Sequence, residues 1–490
     1  MKFHVSKTIP RGTDAFVVSF VKGKGVPKDF AAYLSAADLK DIDREAKRRK
    51  AKGTVGEQFL LPAPQGLKCS WLLVAGVGTG GSDEDIRKIN GSLAPFARQH
   101  HLYSLALMAP PAKSAGVLSA CAEGLLLGDY KFTKHKSGKA RKPLGIVAIT
   151  PKPTPAYAAA LKRAWDRGRV TAEAQVLARD LANEPPSHLT PKQFAKEARV
   201  IAKQSGLGIS VLGPAEMKRA GLGATLAVAK GSDEPPQFIK LTYRPKTRSK
   251  KHVVLVGKSV TYDAGGINIK PTRGGSLESM KLDMSGGAAV LGAMSALKKL
   301  GVKHRVTGYL PAVENLLGGA AYKPGDVVKT FNGKTIEVGN TDAEGRLTLA
   351  DALAHTAAKD KPDEIIDLAT LTATDISLGP SYAAIFATKP GLEKKLREAG
   401  ERTGEKVWPL PFPAEYDDMT KSEVADFSNI VSGRAYTLSG PLLLKHFVGT
   451  VPWVHLDIGG PATPDRDSGY TKKGGSGFGT RLLLEYLSNA

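Results

Sequence analysis

Residues 252–266 read HVVLVGKSVTYDAGG. The first six, HVVLVG (252–257), are a near-continuous apolar run, the pattern of a central strand covered on both faces. Lys258 and Asp263 follow, five apart and closed by Gly265-Gly266, which reads as a tight polar turn at the strand end. In open α/β sheets, ligands sit just beyond the carboxyl ends of strands. This turn is therefore where chemistry is expected. Further strand candidates are RVTGYLP (305–311), KTIEVGN (334–340), EIIDLAT (364–370) and WVHLDI (453–458), with helical patterns over 286–300 and 347–359 between them.

This α/β pattern starts after Thr190-Pro191, a helix cap followed by a favoured first-turn proline. Upstream, FVVSFV (16–21), WLLVAGVG (71–78), LYSLALMA (102–109) and LGIVAIT (144–150) alternate with helical patterns and read as another α/β domain. A long helical stretch over 156–181 ends at Asn183-Glu184-Pro185-Pro186, where paired prolines cannot continue a helix. The expected fold class is α/β in two domains. These are a smaller N-terminal domain (1–160), a connecting helix (161–186), and a larger C-terminal domain (187–490) whose central mixed sheet carries the chemistry.

Composition bounds the rest. A chain of 490 residues buries a large core without disulfides. Its two cysteines, Cys69 and Cys121, match no ligand spacing and are expected to be unbridged buried thiols. The N-terminus has no apolar signal-peptide core. No stretch approaches the ~18–20 apolar residues of a membrane helix. A soluble, cytoplasmic protein with no membrane role is expected. The net charge of +23 is segregated: residues 1–250 hold 42 Lys and Arg against 20 Asp and Glu, and the remainder 28 against 27. Two basic runs contribute, REAKRRK (44–50) and RPKTRSKK (244–251). A solvated surface explains them; so does an anionic partner such as nucleic acid.

The chemistry-bearing residues cluster in the C-terminal half. Asp263 and Lys270 follow the first strand, Asp283 precedes a small-residue helix, and Asp342 and Glu344 lie two apart in what reads as an extended segment. Four carboxylates converging without neutralisation would repel one another. Two divalent cations resolve that: oxygen-rich sites suit Mn²⁺, Mg²⁺ or Zn²⁺, and paired metals activate water for amide hydrolysis. Gly76 to Gly81 matches G-x-G-x-x-G, but no acid ends the next strand, so a plain strand-to-helix turn is expected there. No H-E-x-x-H and no G-x-S-x-G occurs.

NTDAEGRL (340–347) resembles the signature octapeptide of the leucyl aminopeptidase family, and VGKSVTYDAGGINIK (256–270) resembles its metal-and-lysine segment. MKLDM (280–284), ARDLANEPPSHLTP (178–191), ATLT (369–372) and WVHLDIGG (453–460) are similar to family segments in the same order, and AEGLLLGDYKFTKHK (122–136) extends the likeness into the first domain. The resemblance implies a two-metal exopeptidase acting on peptides with a free N-terminus. Lys258, Asp263, Asp283 and Glu344 would hold one metal, and Asp263, Asp342 and Glu344 the other, as Mn²⁺ or Zn²⁺, with Mg²⁺ or Co²⁺ as alternatives. Lys270 would polarise the scissile carbonyl. Arg346, with a backbone contact from Leu371, would hold bicarbonate as general base. Met280, Thr370, Ala373, Gly459 and Ala462 would line the substrate pocket. The family also implies a homohexamer. Departures from its pattern are Ser259, Tyr262 and Ala264 beside the first ligands, Ala373 for a glycine, Ala462 for a larger methionine, a longer 271–282 loop, and an altered SGRAYTLSGP (432–441). They leave the substrate preference open. A nucleic-acid-binding protein on the same scaffold is the second reading, motivated by the basic first half.

Overall fold

A computed structural model describes every residue except 139–140, 248, 250, 273–275, 432–434 and 490. Parts of the basic run 244–251, the 271–282 loop and the segment 432–441 therefore lie outside the described residues. The chain divides into two compact units: Met1–Glu173 with Arg466–Lys472, and Ala174–Asp465 with Lys473–Ala490.

Unit 1 is built on six strands: β1 (Lys2–Ser6), β2 (Thr13–Val21), β3 (Gln58–Pro62), β4 (Cys69–Gly78), β5 (Ser104–Met108) and β6 (Gly145–Ile149). Their order is β1-β6-β5-β2-β4-β3, parallel except for β3 against β4. Helix α1 (Ala36–Arg48) packs Ile42 and Ala46 with Phe30 on one face of the sheet. Helices α2 (Asp83–Gln99) and α3 (Val117–Gly128) pack Leu93, Leu118 and Leu125 on the other. The G-x-G-x-x-G stretch is a strand-to-helix turn. A Cβ on Gly76 would meet the Thr54 carbonyl at 2.1 Å, so close backbone packing requires the glycine. Helix α2 is capped by its own Ser82 and Asp85, with three acids in its first turn, which repels a phosphate.

Helix α4 (Pro155–Asn183) is longer than the 156–181 pattern, and the division between units falls inside it. The return of residues 466–472 to unit 1 has no local signal in the sequence. Both cysteines are free thiols and only partly covered in the fold, where full burial was expected. Among the described residues no helix is long and apolar enough to cross a membrane.

Unit 2 is organised by a nine-stranded mixed sheet of β7 (Gly208–Leu212), β8 (Gln237–Tyr243), β9 (His252–Gly257), β10 (Ser259–Asp263), β11 (Arg305–Asn315), β14 (Glu364–Ala369), β15 (Ala383–Ala387), β16 (Val407–Pro409) and β18 (Trp453–Asp457). A separate three-stranded sheet holds β12 (Val327–Lys329), β13 (Thr335–Glu337) and β17 (Phe427–Ser428). The parallel centre runs β18-β14-β9-β11. Its strands are fully buried apolar runs such as Val253–Val256, so both faces need cover. The helices Ser285–Leu300 and Gly345–Lys359 bury most of their residues in supplying it.

Three local expectations are corrected. KSVTYD is not a tight turn: β10 continues the line of β9 along the long strand β11, with a break at Lys258 and a register shift between Val260 and Tyr262. The break at Lys258 arises because its N–H donates to the Leu368 carbonyl and its carbonyl accepts from Gly287. KTIEVGN does not join the central sheet; its strand is three residues long and pairs with β12 and β17. Asp342 and Glu344 do not share an extended segment: Asp342 sits in a turn, and Glu344 is already helical, at φ −76° and ψ −37°, as the cap of Gly345–Lys359.

Candidate metal centre

The acids reach one place from different elements, all at carboxyl ends of the parallel centre. Asp263 ends β10, Asp283 precedes the helix Ser285–Leu300, and Asp342 and Glu344 precede the helix Gly345–Lys359. One oxygen each from Asp263, Asp342 and Glu344 lies within 4.8 Å of the others, close enough to share a cation. Asp283 joins through Lys258, whose Nζ is 2.7 Å from Asp283 Oδ1 and 2.8 Å from Glu344 Oε1, and donates to the Thr370 carbonyl at 2.8 Å. Lys270 Nζ bridges the other pair, 2.8 Å from Asp263 Oδ2 and 2.5 Å from Asp342 Oδ1.

Four carboxylates against two ammonium groups leave a net negative cluster in a buried place, since Lys258, Asp263, Asp283 and Glu344 are each at most 6% exposed. The cost shows in the acidities. Burial, with neighbouring carboxylates, pushes Asp263, Asp283 and Asp342 above the usual carboxylate range. For Glu344 burial acts the same way, but Lys258 and Lys270 outweigh it and hold the group low. Burial disfavours both ammonium groups. Even so, the carboxylates, led by Asp283 for Lys258 and by Asp263 for Lys270, hold both above the ordinary lysine value. Asp283 Oδ2 is buried with no hydrogen-bond partner. An oxygen-rich donor set, excess negative charge and an orphaned carboxylate oxygen all fit divalent cations.

Arg346 is the second residue of the same helix, 2% exposed. Its Nη1 donates to the Asn429 carbonyl at 2.7 Å and to Ser439 Oγ at 3.0 Å, while its Nε is buried without a partner. Burial lowers its pKa. The Leu371 N–H donates to Asp457 Oδ1 at 3.3 Å, which leaves its carbonyl for other contacts. The Leu371 side chain packs where a Cβ on Gly440 would fall, on the helix Tyr436–Leu444 that also carries Ser439.

Thr370 and Ala373 follow β14, and Gly459 and Ala462 follow the neighbouring parallel strand β18. Thr370 Oγ1 donates to Asp283 Oδ1 at 2.7 Å. Met280 is half-buried three residues before Asp283. Ala462 is 1% exposed. A Cβ on Gly459 would meet the Thr372 carbonyl at 2.3 Å.

Residues the sequence did not single out hold this arrangement. Asn315 Nδ2 donates to Asp263 Oδ1 and to the Thr341 carbonyl, at 2.8 and 3.0 Å. Asn429 accepts from the N–H groups of Gly339 and Asn340 and donates to the carbonyls of Asn340 and Ala343, clamping the turn that carries Asp342. Buried Asp457 takes the N–H groups of Leu371, Thr372 and Gly459, tying the exits of β14 and β18 together.

Family models match along most of the chain: residues 17–139 match the cytosol aminopeptidase N-terminal domain and residues 176–484 the catalytic domain. A probable cytosol aminopeptidase of Chlorobaculum tepidum is 41% identical over 455 residues, covering 89% of this chain and 90% of the relative. The bottromycin maturation enzyme BotP in complex with Mn superposes with a TM-score of 0.85 at 33% identity, over 97% of this chain and 99% of that one. A tomato leucine aminopeptidase mutant superposes with a TM-score of 0.87 at 30% identity, over 100% and 97%. With both of that family's domains matched, the chain belongs to the cytosol aminopeptidase family and is a peptidase hydrolase.

Proposed function

We propose that the protein releases N-terminal amino acids, leucine and similar residues, from peptides through a two-metal centre. The observation that carries this reading is the buried cluster of four carboxylates and two lysines, whose residual negative charge suits two divalent cations. Lys258, Asp263, Asp283 and Glu344 would hold one, and Asp263, Asp342 and Glu344, with the Asp342 carbonyl, would hold the other. When bound, such cations activate a water and anchor the substrate's free α-amine, which restricts cleavage to the chain end. Mn²⁺ or Zn²⁺ suits the donor set, with Mg²⁺ and Co²⁺ as alternatives.

The chain's own residues supply the rest. Lys258 must give up its proton to become a ligand, so metal loading releases protons. Lys270, no longer needed between Asp263 and Asp342, keeps its charge and donates to the carbonyl oxygen as it becomes an oxyanion. The buried Arg346, with its unpartnered Nε, suits a planar bidentate anion such as bicarbonate, which would supply a base beside the attacking water. Met280, Thr370, Ala373, Gly459 and Ala462 shape the pocket for the first side chain. Assembly as a homohexamer in the cytoplasm belongs to the same reading, and sedimentation would show its molar mass. The test is hydrolysis of L-leucyl-p-nitroanilide with Mn²⁺ against its N-acetyl form. Only the free amine should be cleaved, and a chelator should stop it; equal cleavage of both would contradict the reading.

A second reading, non-specific nucleic-acid binding, rests on charge: unit 1 holds 31 Lys and Arg against 15 Asp and Glu.

A further inference from the structure

Within unit 1, β2 and β5 are parallel neighbours. After β2 the chain passes to the face covered by α1, and after β5 to the face covered by α3. Neighbouring strands whose connections leave to opposite faces open a crevice at their carboxyl ends, the place where open α/β sheets bind ligands. A cavity of about 600 Å³ lies there, walled by the segments that follow β2, β5 and β6. That volume is within the range of small-molecule sites, about 300–1,000 Å³.

We propose that this cavity binds a free amino acid with an apolar side chain. Leu107, Leu118 and Ile149, all buried, give it an apolar floor. The Tyr33 hydroxyl is buried on the cavity wall with no hydrogen-bond partner, a polar atom left for a ligand to satisfy. Tyr157 also lines the wall, but its hydroxyl is already committed to the Pro110 carbonyl. Two exposed residues of opposite charge, Asp29 and Lys152, stand at the lining, and neither is in an ion pair among the described residues. Together they match an ammonium and a carboxylate on one small molecule.

Binding here does not depend on the proposed function. Only the identification of the ligand with a reaction product rests on that reading. The site would let a released amino acid act on the domain that does not carry the chemistry.

Cys121 also lines the cavity, and it reports occupancy. In a full-length Cys69→Ser chain carrying Glu344→Ala, with chelator present, the proposed metal centre cannot hold an amino acid. Modification of Cys121 by a small organomercurial is then timed. L-Leucine should slow it about tenfold at about ten times its Kd, leucinamide and isoamyl alcohol should protect several-fold less, and Lys152→Glu should remove the protection by leucine. Val117→Trp, which fills the cavity, should slow the reaction without leucine and make leucine ineffective. No protection by leucine, or equal protection by isoamyl alcohol or leucinamide, would overturn the proposal. Protection unchanged by Lys152→Glu would do the same. Failure of leucyl amide hydrolysis in the wild-type chain would overturn the peptidase mechanism alone.

Discussion

At the scale of the residue, Lys258 and Lys270 divide the cluster between them. Lys258 is locked between Asp283 and Glu344 and against the Thr370 carbonyl, whereas Lys270 rests on Asp263 and the more exposed Asp342. Under the proposed mechanism Glu344→Ala removes a ligand shared by both cations and should abolish hydrolysis of leucyl-p-nitroanilide. Lys270→Ala should lower kcat by about 10²–10³ with a smaller effect on KM, as for the loss of an oxyanion donor. Arg346→Ala should cost less, because solvent can partly replace the anion it holds. Steady-state kinetics of the three variants decide this, and a larger loss for Arg346→Ala than for Lys270→Ala would reverse the assigned roles. Lys258, Asp263, Asp342, Glu344 and Arg346 are legible in the sequence because the VGKSVTYDAGG and NTDAEGRL segments carry them close together, and Lys270 and Asp283 follow the first of these within twenty residues. Asn315, Asn429 and Asp457 are not. They act by hydrogen bonds to backbone groups distant in the chain, and nothing in their local spacing marks them.

At the scale of the element, the helix Gly345–Lys359 carries Arg346 at one end and His355 near the other. His355 is ringed by Phe331, Phe238 and Tyr309, at centroid distances of 5.0, 5.3 and 5.5 Å, and its Nδ1 is buried without a partner. Burial, with Lys240 and Lys359, lowers its pKa to about 4, against the opposing pull of Asp360. A depressed folded pKa means that the unfolded chain takes up the proton first as pH falls. The stability contributed by neutral His355 is thus present above about 6.5 and is lost as pH falls through about 4. His355→Phe should flatten the fall in melting temperature across that window, and an unchanged pH profile would show that the ring is not held neutral. Strands such as β9, β14 and β18 are legible because continuous apolar runs need cover on both faces. The strand β10 is not, because KSVTYD is polar. Its Ser259, Thr261 and Asp263 are buried by pairing with β11, some fifty residues away, and by the helix Ser285–Leu300, whose Gly287 lies against Ser259, and a window along the chain does not carry that information.

At the scale of the whole molecule, the two-domain α/β organisation follows from the alternation of strands and helices, while the return of residues 466–472 to unit 1 depends on the completed fold. The segregated charge is also partly a matter of the fold. On α1, Arg44 pairs with Asp41, and Arg48 and Arg49 with Glu45, so part of the positive charge of the run 44–50 is neutralised locally. Reversing Arg44, Lys47, Arg48, Arg49 and Lys50 to glutamate should weaken salt-sensitive binding to duplex DNA without touching peptidase activity. An anisotropy titration at two salt concentrations checks this, and no binding by the wild-type chain at low salt would leave the charge as a solvated surface. In the proposed mechanism five side chains of unit 2, Lys258, Asp263, Asp283, Asp342 and Glu344, would hold two divalent cations. Equilibrium dialysis of the metal-stripped protein against Mn²⁺ tests it most directly. Two Mn²⁺ per chain in the wild type, falling to one in Lys258→Ala with the loss of hydrolysis, is the result expected. A single Mn²⁺ per chain, or two in both proteins with hydrolysis unchanged, would contradict it.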